Sequence, residues 1–528
     1  MRTVDAVVIG AGHNGLVAAN LLADAGWQVL VLEATGEAGG SVSSAEVTAP
    51  GFRSDLCSAF YPLGAGSPVL RELDLESHGL VWRHAPAVVA HVLPDDRCAV
   101  MYRDVAQTAE SLAAFDPADA RAWREEVDRW RRLGEPLLDA LLRPFPPVRA
   151  GARLLGRLSA AEALRLARLA VLPVRRYGQE RFAGAGAQLL LAGNALHTDL
   201  GPEQAGSAVF GWLLAMLGQS VGFPVPEGGA AQLIQALLNR LDRRGGTVEY
   251  GRRVERVLHA RGTAVGVRDA QGELVRARRA VLADVPAPAL YEDLVGLDAL
   301  PAAFAADVRR FEWDPATVKV NWALSAPIPW TAKAARDAGT VHLGGDLDGL
   351  TRYSTDLTRG QVPETPFLLL GQMTTTDPTR SPAGTESVWA YTHVPQQRAG
   401  DTDRLREQAD RMEQVIEERA PGFRASILAR HVQLPADLQE HNPSLFGGAV
   451  NGGTAAIHQQ LVFRPVPGLG RADTPIDRLY LASSSAHPGG GVHGAPGANA
   501  ARAALARNGM AGRPYAAAIR AAHRRLYR

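Results

Sequence analysis

Cysteine and lysine are the chemistries this 528-residue chain nearly lacks. Cys57 and Cys98, its two cysteines, form no metal-ligand pattern and are too few to argue for an oxidising compartment. Of 56 basic residues only Lys319 and Lys333 are lysines; all the others are arginine. A formal net charge of +1 exerts no global pull toward nucleic acid. Internal repeats, low-complexity tracts, an HExxH pair and a P-loop are all missing. No metal site is expected. The longest uncharged run, Gln204 to Pro226, has an apolar centre from Ala208 to Leu217, about half the roughly 20 residues a membrane-spanning helix needs. A buried core helix is the expectation there. A strand-like run, Val4 to Ile9, starts where a secretory leader would lie, so the expected location is cytoplasmic, at most peripheral to a membrane. With 46% hydrophobic and 21% charged residues the chain is globular, and its length predicts more than one domain.

What is present begins at the first strand. Gly10-Ala11-Gly12-His13-Asn14-Gly15 follows it immediately, then a helix-like run to Ala25 closed by Gly26, then a second strand, Gln28 to Leu32, with Glu33 at its end. Each part has a physical task. Gly10 permits the tight turn, Gly12 lets backbone approach a pyrophosphate, and Gly15 allows close packing of helix on strand. The helix start supplies N–H groups and partial positive charge to that pyrophosphate. Glu33 is placed to hold a ribose diol and to repel a 2′-phosphate. These residues predict an adenosine diphosphate site. A second glycine pair, Gly39-Gly40, lies six residues beyond Glu33 and precedes Ser41; it would let the chain approach a longer ligand such as FAD.

From Asp5 to Leu16 the sequence resembles the flavoprotein superfamily of phytoene desaturases and amine oxidases, and the phytoene desaturase-like branch most closely. The resemblance implies FAD as cofactor and brings in Ala34, Ser41 and Val254, the last as a backbone contact to the adenine. It continues at Pro226-Glu227-Gly228-Gly229, ahead of an amphipathic run with Ile234, Leu237, Leu238 and Leu241, and through strand-like runs to Asp284. Near the C-terminus, Leu479-Tyr480-Leu481 and Ser483-Ser484-Ser485-Ala486-His487 lead into Pro488-Gly489-Gly490-Gly491-Val492-His493, similar to the family's closing motif beside the flavin. Successive glycines pack poorly and cost backbone entropy, so close approach to a ligand accounts for them better than a plain loop. Ser484, Pro488, Gly490, Gly491 and Val492 are therefore cofactor candidates. Asn451-Gly452-Gly453 to Phe463-Arg464-Pro465 carries the same resemblance. Two departures stand out: Ser41 replaces an Arg common in the superfamily, and Ser483 and Ser485 stand where relatives often have Gly.

By this resemblance the fold is α/β, with a discontinuous Rossmann-like FAD-binding domain (1–90, 226–290 and 471–528) and an α+β substrate domain (91–225 and 291–470). The nearly uncharged stretch from Phe182 to Gly222 is expected to line an apolar substrate tunnel in part, with His197 and Trp212 as candidate substrate contacts. Between Leu141 and Arg181, nine arginines alternate with leucines such as Leu154, Leu158, Leu164 and Leu169. A basic amphipathic helix of this kind either lies on an anionic membrane or is a solvated face whose Arg stems cover apolar neighbours.

A flavin carries the difficult redox chemistry itself, so no conventional acid–base signature is required of the chain. Lys319, in the strand-like run Thr317 to Trp322, loosely resembles the amine oxidase lysine that holds a water near the flavin and assists reoxidation. His487 and His493 flank the glycine loop and have the side chain suited to proton transfer. The expected activity is FAD-dependent dehydrogenation of an apolar, polyene- or isoprenoid-like substrate, with O2 or a quinone as acceptor. A C–N-oxidising amine oxidase and a non-catalytic FAD scaffold are the alternatives.

Overall fold

The computed structural model describes residues 2–528. Two seven-stranded sheets organise the chain. In the first, Arg2–Ile9 lies parallel to Val29–Leu32 on one side and to Leu274–Ala283 on the other. Thr247–Glu249 extends it beyond Val29–Leu32, and Leu479–Leu481 adds a late parallel strand beside Leu274–Ala283. Alternation along the first strand explains its burial on both faces. Ala6 and Val8 pack beneath the helices His13–Asp24, Ala231–Arg243 and Ala495–Asn508, while Val7 and Ile9 meet Val257, Val267 and Tyr291. The expected strand, glycine turn, helix and strand thus appear in order, as a Rossmann-like α/β layer.

The second sheet runs Ile427–Gln433, Ala316–Leu324, Glu386–Val394, Leu368–Gln372, Ala338–Leu343, Ala87–Val92, Cys98–Met101, antiparallel except between Ala338–Leu343 and Ala87–Val92. The boundary expected between residues 90 and 91 falls inside one of these strands. One sheet face, with Val318, Val320, Trp322 and Leu370, packs on Leu405, Met412 and Ile416 of the helix Thr402–Arg419. The other faces the apolar helices Ala185–Ala195 and Ser207–Val221. Ser207–Val221 is the run considered as a membrane span; it is a 15-residue core helix with Trp212 wholly buried. No helix among the described residues is long and apolar enough to cross a membrane.

The Arg-rich region forms three short helices, Val148–Leu155, Ala160–Leu169 and Val174–Arg181, not one long one. Pro147 and Pro173 stand at two helix starts, and Ser159 with Glu162 makes a capping box at the third, so the sequence restarts the helix each time. Many of its arginines are already engaged: Arg168 and Arg176 with Glu180, Arg153 with Asp139, Arg157 with the Arg132 carbonyl.

Arg380 ties the second sheet to the first. Fully buried, it donates to Asp55 at 3.0 Å and to Asp377 at 2.9 Å, and neither carboxylate is exposed. Asp55 also accepts from Ser44 and from the Ala230 amide ahead of the helix Ala231–Arg243, and Asp377 accepts from the Gly228 amide. Removing one member of such a group leaves the others charged and unpaired. Arg380→Met is expected to cost about 3–5 kcal/mol in chemical denaturation; a denaturation midpoint equal to wild type contradicts this account.

Candidate active site

Two cavities meet at the junction of the sheets. The first, of about 680 Å³, runs along the C-terminal ends of the parallel strands. Gly10, Gly12, His13, Asn14, Glu33, Ala34, Gly39, Gly40, Ser41, Val254 and Ser484 line it. The second, of about 460 Å³, is lined by His13, Ser41, Ser484, Pro488, Gly490, Gly491, Val492, His487, His493, Lys319 and His197 together with many apolar side chains. His13, Ser41, Val450 and Ser484 belong to both.

The glycine turn explains the shape of the first cavity. Gly10 has φ +90°, and a Cβ on Gly15 would lie 2.2 Å from the Gly10 carbonyl oxygen, so only glycine lets the helix start this close to the strand. Gly15 therefore sits beneath the cleft, its N–H donating to Asp284 at 2.7 Å. The helix start has no capping side chain and no acidic residue in its first turn, which leaves its amides directed at the cavity. Glu33 accepts from the Ala11 amide at 2.7 Å and from the Thr35 amide at 2.9 Å. Asn14 Oδ1 and His13 Nε2 are buried without a protein partner. An elongated cleft with free helix-start amides, a carboxylate at the ribose position and orphaned polar atoms fits an adenine dinucleotide.

Several site residues carried no sequence signal. Burial raises the Asp284 carboxyl to about 7 despite the Gly15 hydrogen bond, with Glu33 adding repulsion. Asn442 donates to Ser41 Oγ at 3.0 Å and stands against Gly40. Asp314 accepts from the amides of Val450, Asn451 and Gly453 and so shapes the wall shared by the two cavities. Arg464 spends its guanidinium on the carbonyls of Ser484, Thr454 and Gly452, locking the C-terminal glycine loop against that wall. Only the Asn451–Pro465 resemblance had pointed to this neighbourhood.

The second cavity has the sheet as its floor. Register places Lys319 opposite Tyr391, Tyr391 opposite Leu369, Leu369 opposite His342 and His342 opposite His91, one transverse row across five strands. Burial lowers the Lys319 ammonium to about 8; it donates to the Asp55 carbonyl and lies 5.6 Å from the Trp389 ring centroid. His487 donates to the Arg143 carbonyl at 3.0 Å, and His493 Nδ1 accepts from the Ala495 amide at 3.1 Å. Burial lowers these histidines to about 4 and about 3, so both are neutral at physiological pH and shape the loop. Trp212 requires a correction: it does not line the cavity. Its indole packs edge-on to Trp130, and Nε1 donates to Glu126 at 2.9 Å, because the helix Ser207–Val221 turns that side toward the core. Phe210 and Leu213, on its other side, are the lining residues.

The sequence profile of flavin-containing amine oxidoreductases matches residues 15–505. The chain is 30% identical to pyridine nucleotide-disulfide oxidoreductase domain-containing protein 2 of Rattus norvegicus, covering 94% of this chain and 92% of that protein. It is 28% identical to hydroxyneurosporene desaturase of Cereibacter sphaeroides, over 95% and 97% of the two chains. An oxidoreductase structure from Methanosarcina mazei shares the fold, with TM-score 0.63 at 18% identity over 96% of this chain and all of that one.

If the close fit at Gly15 creates the dinucleotide site, Gly15→Ala should purify with at least about 10-fold less bound flavin per protein, the equivalent of about 1.4 kcal/mol. The ratio of flavin to protein absorbance measures it, and wild-type loading would refute the assignment. The chain belongs to the flavin-containing amine oxidoreductase family, and it is an oxidoreductase with FAD as its cofactor.

Proposed function

We infer that this flavoprotein dehydrogenates an apolar organic substrate across a C–C bond, with a polyene or isoprenoid as the substrate class. The observation that carries the reading is the lining of the second cavity. Leu138, Leu141, Val209, Phe210, Leu213 and Leu369 dominate it, and no carboxylate stands among the described lining residues. An alkylammonium substrate would enter without a counter-ion and would meet the Lys319 charge, an arrangement whose cost in a desolvated site is large. Trp389 and Tyr391 stack with centroids 6.0 Å apart and 13° between their planes, too close to admit an amine between the rings. These two observations favour C–C over C–N oxidation. The relative named hydroxyneurosporene desaturase supports the same direction.

When bound, FAD supplies the two-electron acceptor. The chain's own residues bind, orient and dry the site. In this reading residues 1–90, 226–290 and 471–528 supply most of the cofactor cleft and 91–225 with 291–470 most of the substrate chamber, except that Ala87–Ala90 belong to the second sheet and His441–Leu445 reach the cofactor cleft. Gly10, Gly12, His13, Asn14, Gly15 and Glu33 serve the pyrophosphate and ribose, with Ala34, Gly39, Gly40, Ser41 and Val254 beside them. Ser484, Pro488, Gly490, Gly491 and Val492 close the opposite side. Lys319 places a proton-bearing ammonium at the cavity floor, while His487 and His493 set the loop.

Rapid mixing tests both parts. Anaerobic addition of an isoprenoid substrate should bleach the flavin in wild type and in Lys319→Met at comparable rates. Reoxidation should slow at least about 10-fold in Lys319→Met, a barrier increase of about 1.4 kcal/mol. In wild type it should decline as pH rises through about 8, where Lys319 loses its proton. Bleaching by amines alone would exclude the C–C reading, and unchanged reoxidation would exclude the lysine.

Ala170, Ile457 and Leu461 line the second cavity. In the chain segments that carry these residues or precede them, Val148, Leu155, Leu164 and Val171 are 72%, 60%, 73% and 51% exposed, and Phe463 is 45% exposed. Exposed apolar side chains interspersed with exposed arginines such as Arg149 and Arg165 suit the surface of an anionic bilayer. Co-sedimentation with anionic liposomes should drop several-fold in Leu155→Glu/Leu164→Glu; binding equal to wild type would remove membrane contact from the account.

A further inference from the structure

Four histidines cluster beside the apolar cavity, three of them buried and the fourth, His197, part of its lining, and the activity proposed above uses none of them. His91, His342 and His393 lie in the second sheet, and His197 follows the helix Ala185–Ala195. His197 Nε2 is 2.8 Å from His342 Nε2, and the rings meet edge to face. His342 stands edge-on to His91, whose Nε2 donates to the Gly345 carbonyl at 3.1 Å. The arrangement is built into the backbone: a Cβ on Gly193 would lie 2.2 Å from His342 Nδ1, so a glycine is kept inside a helix to admit that ring.

Hydrogen bookkeeping fixes what His197 offers. Burial holds all four rings neutral, so each carries one N–H. His342 Nδ1 is buried with no partner. A buried lone pair is less costly there than an orphaned N–H, which assigns the His342 proton to Nε2. That proton is donated to His197 Nε2. The proton of His197 must then sit on Nδ1, which has no hydrogen-bond partner among the described residues, in a ring that lines the cavity. The neighbouring Thr198 hydroxyl is already committed to the Ala195 carbonyl.

We propose that His197 is a substrate-positioning residue whose Nδ1–H donates to an oxygen of the substrate, so that the natural substrate is an apolar molecule bearing one carbonyl, hydroxyl or ether group. The proposal rests on the apolar-substrate reading and narrows it. The transverse row supplies a ruler. Lys319 and His342 are three strand spacings apart, about 14 Å, with Leu369 and Tyr391 between. The oxygen therefore lies at the opposite end of the cavity from Lys319, and the hydrogen bond fixes which bond of the apolar body rests near the lysine.

Carvone and limonene test this, since they share a C10 skeleton and differ by a ring carbonyl. Perturbation of the flavin spectrum of the holoprotein reads their binding. Wild type should prefer carvone by about 10-fold, the upper range for one neutral hydrogen bond. His197→Phe should hold limonene within about 3-fold of wild type and lose the preference, while His197→Asn, which keeps a donor near the Nδ1 position, should retain part of it. The infrared carbonyl stretch of carvone bound to wild type should shift to lower wavenumber, a readout that needs no variant. Equal affinities in wild type, a preference that survives His197→Phe, or an unshifted carbonyl would each overturn the proposal and leave the apolar-substrate reading standing. Failure of wild type to bind either ligand would remove both.

Discussion

A single guanidinium without exposed surface holds the two halves of the site in register. Arg380 joins Asp55 and Asp377, which in turn fix the amides that open the helix Ala231–Arg243 and the turn before it. The backbone of Asp55 then receives the Lys319 ammonium. A charge buried this deeply is tolerated only because every partner is present at once. The cavity floor, which belongs to the second sheet, is thereby set against the dinucleotide cleft, which belongs to the first. Burial lowers the Lys319 pKa within the same knot, so stability and the state of the lysine are coupled through one cluster.

The two cavities contrast because the two sheets are built differently. The parallel strands end in helix starts and glycine turns, which present amides and carboxylates. The antiparallel sheet presents side chains in transverse rows, and its inner face alternates Thr317, Lys319 and Asn321 with residues packed on the other side. A polar recognition surface and an apolar reaction chamber thus arise from two kinds of strand ending, and they share a wall at His13, Ser41, Val450 and Ser484.

Local chemistry was legible in the sequence; convergence was not. The run from Val4 to Glu33 could be read because a turn, a helix start and a ribose acid are short-range demands satisfied by neighbouring residues. The C-terminal glycines were readable for the same reason. Asp284, Asn442, Asp314 and Arg464 acquire their meaning only from partners up to hundreds of residues away. Trp212 was misread because apolar periodicity shows that a helix is buried without showing which side meets a cavity. The arginine-rich region was expected as one amphipathic surface, yet capping residues and prolines divided it, and carboxylates elsewhere claimed much of its charge.

The parallel pairing of Arg2–Ile9 with Leu274–Ala283, and of that strand with Leu479–Leu481, also bears on biosynthesis. During translation the opening strand waits for neighbours encoded far downstream, an interval on the order of tens of seconds at ordinary ribosome speed. Over that time the strand has only Val29–Leu32 beside it, and Val8 lacks the helix Ala495–Asn508 that covers it. A nascent polypeptide of this design leans on chaperone shelter, and its dinucleotide cleft cannot close before the strand Leu479–Leu481 and the serines after it have been made.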